Sequence, residues 1–210
     1  SRYAQANADM ARVLLARHSY EEAAEKAELA LTLSGEEDAE NFDPEACKKL
    51  RLSAHLTAGL AFYNLKSMDQ AIDMFRDALE EAQNAPDVVC LLAQVLWAKG
   101  GEENRSVARE QLLDCVMNHS SHIGAVTLLG AIALLDADRD AIEAVESDLN
   151  SMISRNDIDL HDRAKIIKLL NAISAMGLND NATVPESIRR IGDATAAVML
   201  TPGQSAGWME

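Results

Sequence analysis

"AGLAFYNLKSMDQAIDMFRDALEEAQNAP", residues 58–86, decides the fold. Small residues at Gly59 and Ala71 flank a polar break at Lys66 to Met68. Large apolar residues then recur every three or four positions on both sides, Phe62 before the break and Phe75 after it. That spacing predicts two short helices pressed together so closely that only Gly and Ala fit at the crossing. One helical hairpin cannot cover its own apolar faces, so the pattern should return.

It does. Ala11, Gly59, Ala93 and Gly130 hold the small site of each first helix. Ala23, Ala71, Ala108 and Ala141 hold the small site of each second helix. Three residues beyond the first series stand Leu14, Phe62, Leu96 and Ala133; four beyond the second stand Ala27, Phe75, Leu112 and Val145. After a first step of 48, the series advance by 33 to 37 residues. A period near 34 with two helices per unit is that of the tetratricopeptide repeat (TPR), and the chain resembles that family over nearly its whole length.

The expected fold is therefore all-α: a right-handed α-solenoid of TPR-like hairpins, about ten helices, with no strand. Repeats occupy residues 1–157, in units of about 4–34, 44–85, 86–120 and 121–157, and a C-terminal hairpin and tail fill 158–210. The extra residues between units one and two form a polar loop, Ser34 to Phe42. Asp43-Pro44-Glu45 then gives a strong helix start, so the next helix should run from Pro44 to Leu65. In the third unit, Lys99-Gly100-Gly101-Glu102-Glu103 holds a three-residue insertion. The last hairpin is expected at Leu160 to Met176 and Pro185 to Leu200. Pro202 then sits where a unit closes and Trp208 where another would open, so the array is either capped there or cut.

Composition narrows the function. The chain has 210 residues, 48% of them hydrophobic and 4% aromatic, and a net charge of −15. Such a surface repels phosphate and argues against direct nucleic-acid binding. No apolar run approaches the roughly 18 residues of a membrane span. The odd set Cys47, Cys90 and Cys115 lies within helical patterns and reads as buried free thiols of a reducing compartment. Cys115, His119 and His122 have a superficial metal-ligand spacing, but no second pair accompanies them and a structural zinc site wants four ligands. Phosphate-cradling glycine loops and hydrolase or metalloprotease motifs are missing too. The expectation is a non-enzyme with no cofactor, no metal and no small-molecule substrate. Ser1 in place of Met suggests a piece of a longer protein.

The TPR resemblance implies a concave binding groove lined by the first helix of each unit. Carried onto this sequence, unit two offers Leu56, Leu60 and Tyr63, and unit three offers Cys90, Gln94 and Trp97. The Lys and Asn residues with which co-chaperone TPRs clamp a peptide carboxylate are missing there. What remains is a mostly apolar groove with Tyr63 and Trp97 as amphipathic anchors for a protein partner. Trp97 has a second reading, as a plug before the Gly100-Gly101 turn.

The tail "AVMLTPGQSAGWME" and the irregular hairpins before it look like the C-terminal end of the TPR scaffold subunits of superkiller complexes. That resemblance implies a cytoplasmic scaffold joining an RNA helicase to a WD40 protein, in an assembly that feeds RNA to the exosome for decay from the 3′ end. The alternative is a TPR adaptor or peptide-motif receptor of another assembly, such as a ubiquitin ligase or a trafficking complex.

Overall fold

The structure is a computed structural model that describes residues 2–36, 43–155 and 157–177. Among these the regular structure is helix alone. It runs α1 (Arg2–Ala16), α2 (Tyr20–Glu36), α3 (Pro44–Asn64), α4 (Met68–Ala82), α5 (Pro86–Lys99), α6 (Glu102–Asn118), α7 (Ile123–Asp136), α8 (Arg139–Ile153) and α9 (Leu160–Gly177). Of the expected hairpins, α1–α2, α3–α4 and α7–α8 are packed pairs, and the all-α reading holds. The second half of the C-terminal hairpin, Pro185 to Leu200, lies outside the described residues, as do Pro202 and Trp208.

Local chemistry explains the helix ends. The Asp43 carboxylate accepts from the Glu45 backbone N–H at 3.1 Å, and Pro44 occupies the first helical turn, where its missing donor costs nothing. Asp138 caps α8 by accepting from Ala141 N–H at 3.2 Å. Helix α2 runs on to Glu36, so Ser34 and Gly35 belong to it and not to the expected loop. The Ser34 hydroxyl donates to the Leu31 carbonyl at 2.7 Å, which lets a poor helix former sit in the last turn. His18, Lys66 and Ala137 turn the chain out of α1, α3 and α7 with positive φ, while Gly100 and Gly101 do so after α5. The third-unit insertion lies mostly within helix: α6 starts six residues before Ala108, whereas α4 starts three before Ala71.

The described residues fall into two compact units, divided between Asn104 and Arg105. In the first, α1 packs on α2, α2 on α3, α3 on α4 and α4 on α5, and α1 also touches α3. In the second, α7 packs on α8 and α9, and α8 packs on α9. All the small-site residues are buried except Ala141, which is half-buried. Two of these sites show why they are glycine. A Cβ on Gly59 would lie 2.8 Å from the Phe75 ring, and one on Gly130 would lie 2.8 Å from Val145 Cγ1. In both hairpins the side chain nearest the glycine is the one four residues beyond the second helix's small site, and not the small residue that the sequence reading set against it.

Candidate functional site

The six residues that the sequence reading offers for a partner fall on two helices of the first unit. Leu56, Leu60 and Tyr63 follow one another by four and three residues along α3, so they share one of its faces. Cys90, Gln94 and Trp97 have the same spacing on α5. Helix α4 packs against both α3 and α5. The α5 run from Val88 to Leu96 is buried all round, as expected of a nearly uninterrupted apolar helix.

Burial sorts the six. Leu60, Tyr63, Cys90 and Gln94 are buried in this chain, while Leu56 and Trp97 are half-buried. Burial holds the Tyr63 hydroxyl above its ordinary pKa, since a phenolate would lose its hydration there. The Lys66 ammonium lies 5.6 Å from the centre of the Tyr63 ring, within reach of its negative face. Of the six, Leu56 and Trp97 keep the larger share of exposed surface. The other four residues shape the helix faces from which those two project.

Sequence reasoning missed a polar lattice beside this face. Arg51 and His55 on α3 meet Asp77 and Glu81 on α4. Arg51 Nε donates to Glu81 Oε1 at 2.5 Å and its Nη2 donates to Oε2 at 3.2 Å, a two-pronged pair. The hydrogen bond from Arg51 holds the Glu81 carboxyl below the usual carboxylate range. His55 Nδ1 lies 3.8 Å from Asp77 Oδ2 and is buried without a hydrogen-bond partner. Burial lowers the His55 pKa, against the pull of Asp77 and Glu81. A signal was there to read: stepping back along α3 from Gly59 while stepping forward along α4 from Phe75 pairs these four residues in an antiparallel hairpin.

The Cys115–His119–His122 run does other work. Cys115 is buried, His119 is exposed, and His122 Nδ1 accepts from Ala125 N–H at 3.0 Å to cap α7. Among the described residues no group of three or more His, Cys, Asp or Glu could hold a metal ion. No described helix is long and apolar enough to cross a membrane.

No family model matches the chain, and no solved structure does. Two curated proteins do match. Superkiller protein 3 of Schizosaccharomyces pombe is 38% identical over 149 residues, covering 70% of this chain and 10% of that protein. Superkiller protein 3 of Saccharomyces cerevisiae is 24% identical over 155 residues, covering 73% of this chain and again 10% of the relative. The chain thus spans about one tenth of the length of the curated relatives it matches.

Proposed function

We propose, from the homology of this chain to one segment of Superkiller protein 3, that it is a non-catalytic scaffold segment of a superkiller-type complex. The observation that carries this reading is the 38% identity over 149 residues of a chain built from helical hairpins. Hairpin arrays present long, rigid surfaces suited to holding proteins at fixed spacing. The partners fitting the family resemblance are an RNA helicase and a WD40 protein. The assembly would pass RNA to the exosome in the cytoplasm. Contact with a protein partner is assigned to the α3 and α5 faces, led by Leu56 and Trp97 and backed by Leu60, Tyr63, Cys90 and Gln94.

RNA is assigned to a partner and not to this segment, because a net charge of −15 opposes the counterion release that drives such binding. Affinity purification of the full-length protein followed by mass spectrometry tests the proposal. Stoichiometric recovery of a helicase and a WD40 protein is expected. Recovery of ubiquitin-ligase or trafficking subunits in their place would move the chain to the adaptor class.

A further inference from the structure

We propose that the outward face of α6 carrying Leu113 and Met117 is a docking surface for a basic amphipathic helix of a partner protein. The inference holds whichever assembly the protein serves.

Leu113 is 48% exposed and Met117 74% exposed, although both are large and apolar. They stand four residues apart, so they are neighbours on one face of α6. The opposite face, with Ala108, Leu112 and Cys115, is buried. Single exposed apolar residues are ordinary on a protein surface, so exposure alone would signify little. Repeat register sets this pair apart. Aligning Ala108 on the small sites Ala23, Ala71 and Ala141 carries Leu113 and Met117 onto Glu28 and Thr32 of α2, Arg76 and Glu80 of α4, and Glu146 and Asn150 of α8. All six of those residues are polar, and α6 alone is apolar at both positions. The hairpin does not require the apolar pair, since three second helices fold with polar side chains there.

Charge selects the occupant. Glu110 and Asp114, both exposed, precede Leu113 and Met117 by three residues each and run alongside them. Asp114 Oδ1 accepts from the neutral Asn118 amide at 3.2 Å, and neither carboxylate enters an ion pair among the described residues. A second copy of this chain would bring those carboxylates against its own, on a background net charge of −15. Phosphate groups of a nucleic acid or of an anionic lipid surface would be repelled in the same way. A helix with an apolar stripe at helical spacing and Lys or Arg beside it answers both features of the face. The unbranched Met117 side chain adapts its shape to such a stripe. The patch is small against the roughly 800 Å² per partner of a standard interface, so the contact belongs to the weak, exchangeable class.

The probe is a fluorescent synthetic helix of about 18 residues, with a Leu stripe at helical spacing and Lys along its flanks, titrated into the full-length protein. Leu113→Gln with Met117→Gln should weaken its binding at least about tenfold and leave the melting temperature unchanged. Glu110→Gln with Asp114→Asn should weaken it at least about threefold and flatten its salt dependence. Glu25→Gln with Glu28→Gln removes the same charge from α2 and should leave the affinity unchanged. Failure of the wild-type protein to bind the helix, or equal binding by the Leu113–Met117 variant, would overturn the proposal. So would equal weakening by the α2 variant, which reports diffuse attraction to an acidic surface. Equal binding of a helix with the same stripe flanked by Glu would remove charge as the selector and overturn the choice of occupant. A lowered melting temperature of the Leu113–Met117 variant would place the pair inside the folded full-length protein. Wild-type self-association lost in that variant would make a second copy the occupant, and either result overturns the proposal.

Discussion

At Gly59 the space a Cβ would need is taken by the ring of Phe75; at Gly130 it is taken by a methyl of Val145, each 2.8 Å away. The first crossing is filled by one large ring that is fully buried. The second is filled by a short branched side chain, with Leu169 of α9 3.9 Å from the same point. The two hairpins share the close approach and differ in what fills it. These two crossings share a missing side chain on the first helix and differ in the volume opposite it, while Ala11 and Ala93 hold the same small site with a methyl group.

Truncating the filler should separate the two crossings most. Phe75→Ala should cost about 3–5 kcal/mol, because a buried ring leaves a cavity that a hairpin closes poorly. Val145→Ala removes two methyl groups and should cost about 2 kcal/mol. Urea midpoints at unchanged slope measure both. Equal costs would show that the ring is no more central than the methyl.

Adding the missing carbon should reverse the ranking. Gly59→Ala and Gly130→Ala each overpack a crossing, by about 1–3 kcal/mol, against a helix-propensity gain of about 1 kcal/mol. Gly130→Ala should be the worse, since a valine in a helix has one strongly preferred rotamer and its methyl cannot swing aside as a ring edge can. The pair Gly130→Ala with Val145→Ala should then cost less than the two single variants together, by about 1 kcal/mol. Full additivity would mean that these atoms do not meet.

The polar lattice adds a pH dependence to α3–α4. His55 has its pKa lowered by burial, so the folded state favours neutral imidazole. Its contribution is fully present above the ordinary histidine pKa of about 6.5 and is lost as pH falls below it, toward the lower folded value. His55→Gln should flatten thermal stability between neutral and mildly acidic pH. A profile unchanged by the substitution would remove His55 from the cause.

The smallest expected effect lies at Ala137, which ends α7 with φ of 53° and no glycine to relieve it. Ala137→Gly should raise stability by up to about 1 kcal/mol. No gain, or a loss, would show that the turn tolerates its Cβ.

The hairpins α1–α2, α3–α4 and α7–α8 were legible in the sequence because Gly59, Ala71, Gly130 and their partners repeat at helical spacing. The Asp43-Pro44-Glu45 start was equally plain, since a cap needs only three local residues. The α2 end was less so: Ser34 and Gly35 look like a loop, yet a side-chain hydrogen bond and the packing of Leu31 and Leu33 carry the helix past them. Of the six residues offered for a partner, the helix faces could be read but their exposure could not. Burial of Leu60, Tyr63, Cys90 and Gln94 depends on neighbours distant in sequence, which no local pattern records. The Arg51–Glu81 pair was hidden for the same reason, being readable only once the antiparallel register is known.

Trp97→Ala in the full-length protein tests the scaffold role of the α5 face most directly, when melting temperature and partner affinity are measured on the same sample. A partner-facing anchor predicts an affinity loss of at least about 2 kcal/mol, the scale of an interface hot spot, with helicity nearly intact. A drop in stability with unchanged affinity of the folded fraction would contradict it, and would make Trp97 a plug for the turn at Gly100 and Gly101.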